Sequence, residues 1–413
     1  MKFASRLVSF DACPADPFRP ITTPIYQTAT FEQEHADQFG RYDYSRSGNP
    51  TRTVLEEQLA HLENADRAFA FASGLAAISS VTRLFSAGDE ILSCDDLYGG
   101  TYRLFSKILN RTGVKVRYAD ACDVAQFSAA ITPETRLLYI ETPTNPLLRI
   151  CDIRALADLA HNHGAMLCVD NSAMSPYLQN PLDLGADIVV HSATKYLCGH
   201  SDVTAGVVAV RSPELAEQIY FLQNGEGAAL GPFDSYLLLR SIKTLKLRLD
   251  CQQASARKIA EHLNRNPAVR RVYYPGLPGH AGHDLHAQQA RGAGAVISFA
   301  TGSFELSRRI AEATRIFRVS VSFGSVNSSI SLPGCMSHAS IPAEARKSRA
   351  FDGDLVRLSI GIEDVDDLID DLERAFCAEA GKSLTTEGTE VHRGKALIAD
   401  LERRTEITQG VGE

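Results

Sequence analysis

From residue 46 to 249 the chain keeps returning to one pattern: a short apolar run rich in β-forming residues, then a segment long enough for a helix. The runs fall at 68–72, 90–93, 114–118, 136–140, 165–169, 188–191 and 206–210. A strand that is apolar along its whole length has to be covered on both faces, and helical crossovers between such strands make them parallel. The pattern therefore calls for an α/β fold with a doubly wound, mostly parallel sheet. Residues 1–45 are rich in Pro, Thr, Asp and aromatics without a sustained period, and read as an extended N-terminal arm that needs a surface to lie on. Over 234–263 apolar residues recur at helical spacing, with Leu237, Leu238, Ile242, Leu245 and Leu249 on one face, as in a helix bridging to a second unit. Residues 250–380 read as a smaller α/β C-terminal domain, with strands near 295–299 and 356–360 and helices near 305–317 and 365–376. Residues 381–413 form a polar tail, in which 395–404 is a helix candidate.

Composition narrows the function classes. A chain of 413 residues, 44% hydrophobic, can bury a large core, and domains of roughly 100–200 residues make two or three of them. A net charge of −8 without a basic run argues against a nucleic-acid surface. No apolar run approaches the roughly 18 residues of a membrane span, and residues 1–10 lack the apolar centre of a secretory signal. Nine cysteines, an odd count with no Cys-x-x-Cys pair, read as reduced thiols in a cytoplasmic protein.

The chemistry gathers where apolar runs end. Lys195 stands in Ser192-Ala193-Thr194-Lys195-Tyr196, just after the run 187–190. An amine there can form a Schiff base with an aldehyde cofactor while the hydroxyls hold its phosphate, the pairing that pyridoxal 5′-phosphate (PLP) chemistry needs. Asp170 closes the run 165–169 and is the candidate acid for the pyridine nitrogen. Gly74 stands at a strand-to-helix turn, where backbone N–H groups and the helix N-terminus favour a phosphate.

Seven segments carry a resemblance to the Cys/Met metabolism family of PLP enzymes. They are Tyr44 to Arg52 (YSRSGNPTR), Ala72 to Ala76 (ASGLA), Asp96 to Thr101 (DLYGGT), Glu141 to Pro146 (ETPTNP), Val169 to Asn171 (VDN), Ser192 to Tyr196 (SATKY) and Val356 to Gly361 (VRLSIG). They run in family order over about residues 20–378. The resemblance implies a PLP-dependent transferase type I fold of the aspartate-aminotransferase kind. It also implies roles for individual residues. Lys195 would carry the cofactor and shuttle protons, Asp170 would keep the pyridine nitrogen protonated, and Tyr98 would stack on the ring and help protonate the leaving group. Gly74, Leu75, Ser192 and Thr194 would bind the phosphate. Tyr44 and Arg46 would reach the phosphate of a neighbouring subunit, so the protein would be a homo-oligomer, a dimer of dimers with shared sites. Arg357, with Asn145 and Ser322, would hold the carboxylate of a small amino-acid substrate, a task suited to the planar guanidinium fork.

Substrate choice is less uniform. Val321 stands before Ser322, where cystathionine enzymes of the family typically carry an acid. Gly100 stands where the methionine enzymes usually carry cysteine, and Ser172 where many relatives have threonine. Glu226 occupies a loop position that is neutral in relatives, and a buried carboxylate needs a counter-charge. These departures lead to the expectation of a PLP-dependent γ-lyase, with Glu226 facing a cationic side chain such as that of canavanine. The alternatives are a γ-replacement enzyme of the cystathionine γ-synthase or O-acylhomoserine sulfhydrylase type, or a methionine or cystathionine γ-lyase. A β-lyase acting on cystathionine is a further rival. His280, His283 and His286 invite a metal reading, but Pro278, Gly279 and Gly282 make the segment read as a loop, and no metal is expected. Cys198 reads as a packed thiol.

Overall fold

The computed structural model describes residues 1–10, 16–336 and 353–380. The seven expected runs form seven strands, each within a residue or so of its expected place: β1 (Arg67–Phe71), β2 (Glu90–Cys94), β3 (Lys115–Ala119), β4 (Thr135–Glu141), β5 (Met166–Asp170), β6 (Ile188–Ser192) and β7 (Gly206–Val210). They make one sheet in the order β1-β7-β6-β5-β4-β2-β3. Strands β2 to β6 pair in parallel, and β7 runs against both of its neighbours.

The period of two within each strand explains why whole strands are apolar. Ala68 and Ala70 of β1, Leu138 and Ile140 of β4 and Val207 and Ala209 of β7 enter one core. Phe69 and Phe71, Leu137 and Tyr139, and Val208 and Val210 enter a second core. Both faces are thus covered, and each fully buried Val, Leu, Ile or Phe contributes about 1.5–3 kcal/mol. The covering helices are well specified. Helix α1 (Pro50–Glu63) has Asn49 accepting from the amides of Thr51 and Arg52, proline at its start, and Asn64 in the left-handed region (φ 56°) at its end. Helix α2 (Gly74–Thr82) is capped by Ser73, whose hydroxyl accepts from the Ala76 amide.

The second sheet has the order β10-β11-β12-β9-β8, from β8 (Arg271–Tyr273), β9 (Val296–Ala300), β10 (Arg318–Val319), β11 (Ser329–Ser331) and β12 (Leu355–Ser359). The sequence showed β9 and β12. The other three have two or three residues each, too few for an alternation to register.

Three expectations change. The 234–263 stretch is two helices, Pro232–Ile242 and Leu245–Arg265, interrupted at Lys243 and Thr244. The apolar spacing runs on across the gap, so pattern alone did not show it. The helix expected at 305–317 spans Phe304–Ala313, because the chain then extends into β10. The start of the arm is not extended: Phe3–Arg6 is a helical turn, Leu7 is buried, and Gln58 of α1 donates to the Arg6 carbonyl at 2.7 Å. Between 16 and 45 the backbone has no helix or strand, only an isolated bridge from Thr30 to Tyr44. The tail 381–413, with its helix candidate, lies outside the described residues.

Candidate active site

The C-terminal ends of β4, β5 and β6 deliver Glu141, Asp170 and Ser192 to one rim of the sheet. That rim is where open α/β sheets bind ligands. Lys195 lies three residues past the end of β6 and is half-buried. Its Nζ donates to Ser322 Oγ at 2.5 Å. Burial, then the charge of Arg357, pull the amine down to about 8, against a smaller upward effect of Asp170. Such a lysine exchanges a proton near neutral pH, which an ordinary lysine does not.

Arg357, in β12, is 2% exposed. Its Nη1 donates to Asn145 Oδ1 at 2.8 Å and its Nη2 to the Ser322 carbonyl at 2.7 Å. Both acceptors are uncharged. Burial lowers this guanidinium to about 10, and a buried cation held, among the described residues, by neutral oxygens is suited to an anionic ligand. The Phe323 ring is close to both cations, its centroid 5.2 Å from Lys195 Nζ and 5.6 Å from the Arg357 guanidinium. Ser322 serves both neighbours from a left-handed backbone (φ 80°) that is rare for a residue with a side chain.

Asp170 Oδ2 accepts from the Tyr139 hydroxyl at 3.3 Å and Oδ1 from the Ser172 amide at 3.0 Å. The Ser172 hydroxyl accepts from the Ser192 amide at 2.6 Å, so serine at this position keeps the ends of β5 and β6 joined. A Cβ on Gly74 would lie 2.9 Å from Ser192 Cβ; glycine there lets the start of α2 close on the end of β6. The amides of Gly74 and Leu75 are among the first of α2, where no intrahelical acceptor exists. Thr194 Oγ1 accepts from the Ala205 amide at 3.0 Å. A half-buried amine of lowered basicity, an acid at a strand end and a cradle that a Cβ would fill are the donors and the space that PLP requires, and they fit it.

Tyr98 is 39% exposed, and its amide donates to Glu141 Oε1 at 2.8 Å. A Cβ on Gly100 would lie 2.3 Å from Tyr98 Cε1, so the absent side chain at residue 100 is what lets the ring rest on the backbone.

Tyr44 and Arg46 contact each other, and Arg46 the helix Pro213–Glu226. The Arg46 guanidinium stacks on the Tyr44 ring at 5.5 Å and donates to the Asn224 carbonyl at 2.6 Å, near the end of the helix Pro213–Glu226. Glu226 ends that helix, and its Oε1 accepts from Arg83 Nε at 3.0 Å in a half-exposed ion pair. The three histidines bond to backbone carbonyls, of Leu148 (His280), Pro275 (His283) and Gly292 (His286). His283–Gln289 is a short helix where a loop was expected, started by Gly282 in the left-handed region. Cys198 Sγ donates to Asp202 Oδ1 at 3.2 Å, and burial raises its thiol.

Sequence reasoning missed Glu141, Tyr139 and Phe323. Glu141 carries the same signal as Asp170, an acid closing an apolar run, and was recoverable. Phe323 had no signal, because a loop brings it close to the two cations.

Fold and site together define a PLP-dependent enzyme that acts on an α-amino acid. The family of Cys/Met metabolism PLP-dependent enzymes matches residues 6–377, and the chain belongs to it. It is 57% identical over 361 residues to the chloroplastic cystathionine β-lyase of Arabidopsis thaliana, covering 87% of this chain and 78% of the relative. It is 48% identical over 356 residues to a cystathionine γ-lyase of Bacillus subtilis, covering 86% and 94%. Among solved structures, cystathionine γ-lyase from Lactobacillus plantarum complexed with L-serine superposes with a TM-score of 0.89 at 44% identity, covering 91% of this chain and 99% of that one.

Proposed function

We propose that this enzyme cleaves the Cβ–S bond of cystathionine, giving homocysteine, pyruvate and ammonia with uptake of one water. One observation carries the reading. Lys195, a half-buried amine poised to exchange protons, stands beside a guanidinium whose hydrogen-bond partners among the described residues are uncharged. A proton carrier is thereby set next to a holder for the α-carboxylate. PLP, when bound, supplies the electron sink for the charge left at Cα. The protein does the rest. Arg357 and Asn145 fix the carboxylate, and Lys195 takes the Cα proton. Asp170 keeps a positive pyridine nitrogen in place, the start of α2 with Ser192 and Thr194 holds the phosphate, and Tyr98 covers the ring and delivers a proton to the departing sulfur. The choice of β-elimination rests on the higher identity to the Arabidopsis β-lyase.

The γ-elimination expected from the sequence is the second reading, supported by the Bacillus relative. Its cationic-substrate form rested on a carboxylate without a partner, and Arg83 supplies Glu226 with one. Tyr44 and Arg46 serve a neighbouring subunit's phosphate in this reading, as the family resemblance implies; within this chain Arg46 bonds the Asn224 carbonyl. Among the described residues no helix is long and apolar enough to cross a membrane. The free cysteines among them support a reducing compartment, the cytoplasm included.

The test is product identification by mass spectrometry from the PLP-loaded enzyme with cystathionine, methionine, O-acetylhomoserine plus cysteine, and canavanine. Pyruvate with homocysteine supports β-elimination. 2-Oxobutanoate with cysteine from cystathionine, or turnover of canavanine or acylhomoserine only, overturns it.

A further inference from the structure

Glu141 is a buried acid that none of the roles above uses. It closes β4 directly beside Asp170 of β5 in the parallel register. It is 6% exposed. Its Oε1 accepts the Tyr98 amide at 2.8 Å, and the Asn145 amide faces the same carboxyl. Asn145 in turn bonds Arg357. The same two loops are pinned a second time by the Thr144 hydroxyl donating to Asp96 Oδ2. One carboxyl therefore spans the loop of the ring-covering tyrosine and the loop of the carboxylate-holding asparagine.

We propose that Glu141 is a positioning residue: its carboxyl, taking a backbone amide from each loop, sets the spacing between Tyr98 over the cofactor ring and Asn145 on Arg357. What matters is reach, not charge. Burial, the neighbouring Asp170 and then Asp96 push Glu141 well above the usual carboxylate range, so charge is disfavoured there. Burial pushes the Tyr139 hydroxyl and the Cys94 thiol up as well. Glu141 is thus a scaffold beside Asp170, the acid assigned to the pyridine nitrogen.

Two substitutions separate reach from charge. Glu141→Gln keeps the length and an acceptor oxygen and removes the ionisable group. Glu141→Asp keeps the acid and withdraws it by one methylene. The readouts on cofactor-loaded protein are the visible circular-dichroism band of the bound PLP and the split of KM from kcat for the amino acid turned over. Gln is expected to overlay the parent band and leave KM within about twofold, whereas Asp alters the band and raises KM about tenfold, the effect of one lost hydrogen bond at roughly 1.4 kcal/mol. An Asp variant indistinguishable from the parent, or a Gln variant as impaired as Asp, overturns the proposal. Should the Asp variant not fold, Gln decides alone: an unchanged band supports the proposal and an altered band overturns it. The band needs no substrate, so this result stands apart from whether cystathionine is cleaved.

Discussion

Lys195 and Ser322, 127 residues apart in sequence, meet at 2.5 Å between amine and hydroxyl, and the serine reaches that place only through a left-handed backbone. Its carbonyl simultaneously accepts from Arg357. One strained residue thus holds the proton carrier with its side chain and the carboxylate holder with its main chain.

Two variants of Ser322 separate these duties. Both Ser322→Gly and Ser322→Ala lose the hydroxyl, and both should lower kcat about tenfold, the value of a hydrogen bond to a charged group. Glycine tolerates the φ of 80°, whereas alanine is strained there by about 1 kcal/mol or more. The Ala variant should therefore show the higher KM, because the carbonyl leaves Arg357. Equal KM values in steady-state kinetics would show that the backbone angle does not matter.

Lys195 makes the stability of the PLP-free protein pH-dependent. Its amine is lowered from 10.5 to about 8 by burial. Between those values the unfolded chain binds the proton that the folded chain has lost, so stability rises with pH across this window. Below about pH 8 both states are protonated and the cost of burying the charge is present in full. Lys195→Met removes that cost. Its advantage in Tm over the parent apoprotein should shrink as pH climbs from about 7 to about 10. Differential scanning calorimetry showing a constant difference across that range would contradict a charged, half-buried amine.

Arg357→Lys should act on binding. A lysine is a point charge and cannot reproduce the two bonds to Asn145 and the Ser322 carbonyl while still offering a fork to a carboxylate. KM should rise about tenfold to hundredfold with kcat changed far less, as for an interaction made equally in ground and transition states. A fall in kcat at unchanged KM would assign Arg357 to the chemical step instead.

Gly74→Ala tests the phosphate cradle. The new Cβ meets Ser192 at 2.9 Å, and the start of α2 has to back away from β6. PLP affinity, measured by titrating the apoprotein, should weaken at least about tenfold, a loss of roughly 1.4 kcal/mol. Unchanged affinity would place the phosphate elsewhere.

The large sheet was legible because its central strands are mostly apolar, and because the apolar runs of β4, β5 and β6 stop at Glu141, Asp170 and Ser192. Asp170 and Ser192 could be placed at strand ends before any coordinates. Local signals do not report relationships across the chain. Nothing near Ser322 announces Lys195, and Asn145 was joined to Arg357, 212 residues away, only through the family resemblance. The break between the helices ending at Ile242 and starting at Leu245 was hidden because both sides bury the same stripe. The strand Arg318–Val319 was hidden because two residues carry no period. Glu226 shows the converse error. A residue unusual for its position drew a functional reading, while its partner, Arg83, stood 143 residues away.

The division of each central strand between two cores ties folding to catalysis. Phe69 belongs to one side of the sheet and Ala70 to the other, and the same alternation continues to the strand ends, where Val169 sits in one core and Asp170 follows it. A slip of one residue inverts every side chain on a strand. A mispaired copy would thus swing its acid away from the rim in the same movement that crowds one core and empties the other. Such a copy is unstable and inert together, so any cellular machinery that removes poorly packed chains also removes inactive enzyme, without having to sense activity at all.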